Sequence, residues 1–145
     1  MTTLQPATLA PAAPPHTYLG IARALVRGVR PLATAPNCAL PLAFVSAQAV
    51  ECMLKAALSK DGNDGPLKHP NVGHNLGELW TRAHAAGLGI SAASPDWLRI
   101  LASLHGRPYH LRYSTGVHAL GLPPVEPMCT EVEQLLALVE AFVRT

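Results

Sequence analysis

The sequence predicts an all-α protein built as a five-helix bundle. Its 145 residues are 49% hydrophobic but only 5% aromatic, so the core is expected to consist mainly of Ala, Leu and Val. Ala and Leu lose little free energy on entering a helix. Apolar residues recur at intervals of three and four in five segments, and no segment alternates between apolar and polar residues as a strand would. Such segments, joined by short or medium connections, favour an up-and-down bundle with antiparallel neighbours.

The chain is expected to begin with a disordered tail over residues 1–16, followed by one domain over residues 17–145. The tail is rich in Pro and Ala and has neither a basic start nor a long apolar run, so it does not resemble a signal peptide. From about Thr17 a helical apolar face opposes three arginines, Arg23, Arg27 and Arg30. Three prolines are predicted to close this first helix and to delay the next, namely Pro31, Pro36 and Pro41.

The second helix is predicted over roughly residues 41–60. Its apolar face includes small side chains that permit close helix contact, and consists of Ala43, Ala47, Val50, Leu54, Ala57 and Leu58. Glu51 and Lys55 stand four residues apart on the polar stripe, in the order that favours an ion pair. Glu51 could be catalytic or could orient an arginine, and a solvated pair with Lys55 is an equal alternative. No apolar stretch is expected to be long enough to span a membrane.

Capping signals mark the third helix. Asn75 is expected to cap its start, with Glu78 able to bond back to the cap, and Gly87 and Gly89 are expected to end it.

Similar signals mark the last two helices. The sequence Ser-Pro-Asp at residues 94–96 predicts the start of the fourth helix, with Ser94 as the cap. Thr130 with Glu133 is a possible capping box for the fifth helix.

The three cysteines are far apart and odd in number, so they indicate neither a disulfide framework nor a zinc motif. Free thiols fit a reducing cytoplasm, and Cys52 is expected to be a small core residue. The spacing of the histidines matches no known metal-binding pattern, so no metal ligand and no cofactor is predicted. A metal site formed by histidines that are distant in the sequence is the alternative. The formal net charge of +2 is too small to imply nucleic-acid binding by itself.

The stretch over residues 104–120 concentrates the polar chemistry of the chain. Arg107 and Arg112 offer forked donor sets that suit phosphate. Three histidines can carry or release a proton near neutral pH, namely His105, His110 and His118. This combination could bind a phosphodiester or cleave one without a metal. The alternative is that these side chains only cap helix carbonyls and meet solvent.

Three segments together resemble the HEPN family, whose name stands for higher eukaryotes and prokaryotes nucleotide-binding. They are A-F-V-S-A-Q-A-V-E-C-M-L-K-A-A-L at residues 43–58, G-H-N-L-G-E-L-W at residues 73–80, and an Arg/His segment that ends in R-Y at residues 112–113. The resemblance covers about residues 18–143.

The resemblance implies a helical bundle that usually dimerises and, in many members, a metal-independent ribonuclease with an Arg followed a few residues later by a His. Arg112 and His118, which enclose five residues, would be the catalytic pair. Three further residues would bind substrate, namely Arg107, His110 and Tyr113. Tyr113 departs from the family pattern, because active members usually have Asn, Asp or His directly after the Arg.

Two functions follow as expectations. The first is an RNA- or nucleotide-binding domain that could act as a metal-independent endoribonuclease of the toxin or defence type. In that reaction His118 would take a proton from a ribose 2′-hydroxyl, a second acid would protonate the leaving 5′-oxygen, and Arg112 would stabilise the charged phosphorus. The second is a non-catalytic dimerisation or interaction module, for example the partner of a small nucleotidyltransferase. A homodimer is expected in either case, because the resemblance implies one and because the mean hydropathy of +0.20 is high for a small soluble monomer. The free thiols place it in the cytoplasm.

Overall fold

The computed structural model describes residues 2–6, 13–112 and 120–145. Across these ranges the protein contains no strand, which confirms the all-α prediction. The described α-helices are α1 (His16–Val26), α2 (Val29–Thr34), α3 (Ala39–Leu58), α4 (Leu76–Ala85), α5 (Asp96–His105) and α6 (Val125–Arg144). A 3-10 turn, Gly65–Lys68, lies between α3 and α4. The five predicted helices are therefore present, and the six-residue α2 is an addition to them.

Helix α3 is the centre of the bundle, since every other α-helix contacts it. Its predicted apolar face is buried, apart from Leu58, which is partly buried. The expectation that no segment is long enough to span a membrane was wrong for α3 by length and composition alone, because an 18-residue window of this 20-residue helix has a mean hydropathy of 1.3. However, 61% of the apolar window is buried by the other helices, so α3 is the core helix of the bundle.

Pro31 was misread as a helix terminator, whereas Pro36 lies between α2 and α3, where the prediction placed it. Pro31, Pro41 and Pro127 each occupy the third position of a helix, in α2, α3 and α6 respectively. The first four N–H groups of a helix have no partner within that helix, so a residue without an N–H is tolerated there. The first helix ends earlier, at Val26.

The fifth predicted helix begins at Val125, so Thr130 and Glu133 lie inside α6 and do not form a capping box. Both side chains instead accept hydrogen bonds from Arg30 of α2, at 3.2 and 2.7 Å. Glu126 binds the same guanidinium at 2.9 Å. The Thr130 and Glu133 side chains, which suggested a local cap, therefore bind Arg30, a residue distant in the sequence.

Helix α4 follows the prediction at both ends. The Asn75 side chain accepts a hydrogen bond from the Glu78 N–H at 3.0 Å, although the Glu78 carboxylate pairs with Arg82 and does not bond back. Gly87 adopts a φ of 90° and donates to the His84 carbonyl. Leu88 N–H donates to the Ala83 carbonyl, which completes a Schellman cap.

Helix α5 begins with Asp96 in its first turn, as predicted. Ser94 does not cap it, because Pro95 occupies the cap position and the Ser94 carbonyl accepts from Arg99.

Candidate functional site

A buried carboxylate at the middle of α3 gathers three side chains. Glu51 is 3% exposed. Its Oε1 lies 2.8 Å from Nδ1 of His74 and 2.8 Å from Nε2 of His105, and its Oε2 lies 3.1 Å from Nζ of Lys55. The predicted Glu51–Lys55 pair therefore exists, but the interpretation as a solvated pair was wrong. Two histidines, and no arginine, complete the set of partners.

Three separate elements bring these side chains to the carboxylate. Lys55 is one helical turn after Glu51. His74 directly precedes the Asn75 cap of α4, at the end of a turn in which Gly73 N–H donates to the His69 carbonyl at 2.9 Å. His105 is the last residue of α5 and is 2% exposed. The cluster therefore joins α3, the start of α4 and the end of α5.

The partners of Glu51 keep it ionised. Burial by itself raises the pKa of this carboxyl group. The hydrogen bonds from His105 and His74, together with the charge and hydrogen bond of Lys55, outweigh burial and lower the pKa to about 2. An ionised carboxylate only accepts, so Nδ1 of His74 and Nε2 of His105 must each carry the hydrogen in these contacts.

His74 connects this buried cluster to an open cleft of about 420 Å³. The His74 side chain is 45% exposed. Asn71, Arg107 and Tyr109 line the same cleft. The Tyr109 ring meets the His74 ring edge-on at a centroid distance of 6.1 Å. The guanidinium carbon of Arg112 lies 5.6 Å from the centroid of the Tyr109 ring.

A tight turn after α5 positions Tyr109 and Arg112 at the border of the cleft. Tyr109 has a φ of 65°, and its N–H donates to the Gly106 carbonyl at 2.7 Å. The Leu111 N–H donates a hydrogen bond to the Leu104 carbonyl at 3.3 Å, and the Leu111 side chain is buried. The chain is thereby folded back so that Arg112 lies over the Tyr109 ring, while Arg107 and Tyr109 line the same cleft.

The residues that the sequence predicted for the site differ in where they lie relative to the cleft. Arg107 lines the cleft, and Arg112 lies beside it over Tyr109. His110 is partly buried, and its Nδ1 has no hydrogen-bond partner among the described residues. Tyr113 and His118 lie outside the described residues.

Sequence reasoning missed His74 and Tyr109 as site residues, and it did not connect Glu51 with either histidine. The available signals were an acidic residue on a strongly apolar helix and a histidine directly before a helix cap. Neither signal indicates a partner that is 23 or 54 residues away along the chain.

The cluster also presents a set of donor atoms that suits a metal. Glu51 Oε1, His74 Nδ1 and His105 Nε2 all lie within 4.8 Å of one another. These residues were not predicted as metal ligands, because their separation in the sequence matches no metal-binding motif.

Comparison of the chain with models of protein families, with curated proteins and with solved structures gave no match.

Proposed function

We propose that the domain binds the phosphate groups of RNA or of a nucleotide in the cleft beside His74. The observation that carries this proposal is the grouping of Arg107, His74 and Tyr109 around one cleft, with Arg112 over the Tyr109 ring. A guanidinium can donate two parallel hydrogen bonds to phosphate oxygens. A tyrosine ring offers a surface on which a base can stack. The cleft therefore combines a group that can bind the phosphate of a nucleotide with one that can stack on its base.

The HEPN resemblance supports the same proposal and extends it to catalysis. In the extended form, Arg112 and His118 cleave RNA without a metal, in a protein of the toxin or defence type that acts in the cytoplasm. His118 would take the proton of the ribose 2′-hydroxyl as the 2′-oxygen attacks the adjacent phosphorus, and Arg112 would stabilise the charge on that phosphorus. The bond to the 5′-oxygen would break, a second acid would protonate this leaving oxygen, and the product would be a 2′,3′-cyclic phosphate. The exposed edge of His74 lies in the same cleft and would meet the bound phosphate.

Binding can be measured by fluorescence anisotropy with labelled single-stranded RNA and with a labelled nucleotide, at fixed salt and in EDTA. We expect Arg107→Ala and Arg112→Ala each to weaken binding by roughly tenfold to a hundredfold, since each removes a charged donor worth about 1.5–3 kcal/mol. Arg99→Ala is the control of equal charge, because Arg99 pairs with Asp96 at the start of α5. The proposal fails if the wild-type protein binds none of these ligands, or if Arg99→Ala weakens binding as much as the cleft variants do.

Cleavage is tested separately with the same RNA in EDTA. His118→Ala should leave binding unchanged and abolish cleavage. If the wild-type protein binds RNA but does not cleave it, the catalytic extension is wrong and the binding proposal stands.

A second candidate function, as a dimerisation or interaction module, rests on a different observation. Leu40 and Phe44 are 46% and 38% exposed, and they stand one turn apart on the same face of α3. Two large apolar side chains on one face are a common feature of protein contacts. A second copy of the chain would cover them in a homodimer, and a small nucleotidyltransferase is the alternative partner. Light scattering at micromolar concentration should show a dimer for the wild-type protein and a monomer for Phe44→Glu.

A further inference from the structure

We propose that Glu51, His74 and His105 form a binding site for a divalent transition metal, with Zn²⁺ as the probe. Two imidazole nitrogens and a carboxylate oxygen are a ligand set that zinc and other first-row metals accept. The three donor atoms already lie within 4.8 Å of one another. This inference does not rest on the proposed RNA binding, because it uses neither Arg107 nor Arg112.

The movement needed to admit a metal is small. Glu51 Oε1 lies 2.8 Å from each of the two imidazole nitrogens. Around a tetrahedral zinc with bonds of about 2.0–2.2 Å, neighbouring donors stand roughly 3.3 Å apart. Each contact would therefore lengthen by about half an ångström. The half-exposed His74 ring can make its own part of this adjustment, whereas the buried contact between Glu51 and His105 must lengthen by the same amount inside the bundle. The two imidazole nitrogens, which lie within 4.8 Å of each other, would draw together around the metal.

The metal would replace the hydrogen that now lies between each imidazole and Glu51. A neutral imidazole carries one proton, which can occupy either ring nitrogen. On binding, the proton of His74 would move from Nδ1 to Nε2, and the proton of His105 would move from Nε2 to Nδ1. A carboxyl group is ordinarily ionised at neutral pH, so no proton has to leave Glu51. The exchange therefore needs only the other tautomer of each histidine.

The surroundings indicate an open site more than a closed structural one. The described cluster offers three protein donors, and the half-exposed His74 borders the cleft. Sites with three protein ligands typically keep a fourth position for water or substrate. Lys55 holds the other carboxylate oxygen at 3.1 Å, and its positive charge opposes a second cation nearby. Removal of the Lys55 charge should therefore increase the affinity for the metal. If the cluster were only a structural ion network, the same change would weaken the network and would not create tighter metal binding.

The test is isothermal titration of the untagged full chain with Zn²⁺ alone, after EDTA treatment and dialysis into metal-free buffer. We expect one Zn²⁺ per chain and, with Co²⁺, the visible absorption of a tetrahedral complex. His74→Ala removes a half-exposed ligand without cutting into the core, and it should weaken binding by roughly tenfold or more. Lys55→Met should bind Zn²⁺ severalfold more tightly than the wild type, with the helical circular dichroism unchanged.

Two control variants separate this site from other sites in the chain. His84→Ala removes an exposed histidine of α4, which contacts the Ile90 carbonyl at 2.8 Å and lies outside the cluster, so Zn²⁺ affinity should not change. Arg107→Ala should also bind Zn²⁺ normally, even if RNA binding is lost. The inference is overturned if the wild type binds Zn²⁺ no more tightly than His74→Ala, if His84→Ala weakens binding as much, or if Lys55→Met does not bind more tightly.

Discussion

Replacement of Glu51 by Gln should remove about 3 kcal/mol from the free energy of unfolding at pH 7. Gln keeps the shape of the side chain and its acceptor oxygen but not the negative charge. In the folded protein, the pKa of Glu51 is lowered from 4.5 to about 2. At about 1.4 kcal/mol for each pKa unit, this difference corresponds to about 3 kcal/mol of preferential stabilisation of the ionised form. The side chain is only 4% exposed, so solvent screens the interaction weakly.

The sign of the pH dependence follows from the lowered pKa. A carboxyl group whose pKa is depressed by folding contributes stability above its unfolded value, here about 4.5. That contribution is lost as the pH falls toward about 2, where the folded protein also takes up the proton. The wild type and Glu51→Gln should therefore differ most at neutral pH. Their free energies of unfolding should converge in acid.

Urea unfolding at a series of pH values from 7 to 3, in EDTA, tests this reasoning. Trp80 and Trp97 are buried and report unfolding by fluorescence. Glu78→Gln is the control, because its pair with Arg82 is exposed and contributes little. The electrostatic account would be refuted if the difference in free energy of unfolding between the wild type and Glu51→Gln stayed constant from pH 7 to pH 3. A gap well below about 1 kcal/mol at pH 7 would refute it as well.

Three further predictions concern the core, a helix end and the thiols. Leu54→Ala should cost about 2–5 kcal/mol in urea unfolding, because the fully buried side chain leaves a cavity; a loss below about half a kcal/mol would contradict this packing. Gly87→Ala should cost roughly 1–2 kcal/mol in the same assay, because any Cβ is strained at a φ of 90°. In the native protein a thiol reagent at pH 8 should modify Cys38 well before Cys52 and Cys129, because burial raises the pKa of both, to about 11 for Cys52. Equal rates for the three thiols would show that the core opens readily.

The sequence determined the parts of the fold that depend on neighbouring residues. The apolar face of α3 was predicted correctly because a residue's place on a helix follows from its spacing alone. Both ends of α4 were also predicted, because Asn75 and Gly87 act on backbone groups within a few residues. The error at Pro31 came from treating proline as a terminator without knowing where α2 starts. In the first turn a proline removes no hydrogen bond.

Only the tertiary structure decided the environment of Glu51. Its spacing to Lys55 was compatible with a pair in solvent, and nothing local distinguished that pair from a buried one. The partners that decide its chemistry, His74 and His105, are 23 and 54 residues away and arrive on other elements. Likewise, the spacing of Thr130 and Glu133 suggested a helix cap, but in the folded chain both side chains bind Arg30.

The same division applies to the Arg/His stretch. Composition alone singled out Arg107 and Arg112 as phosphate-binding candidates, since side-chain chemistry is independent of the fold. Two features depend on the turn after α5 and on the docking of α4 against α3 and α5. Arg112 lies over the Tyr109 ring, and Arg107 lines the same cleft as Tyr109 and His74. Hydrophobic periodicity is a local property that one sequence displays in full. Contacts between distant side chains depend on how helices pack, and that packing depends on the sum of many weak interactions across the whole chain.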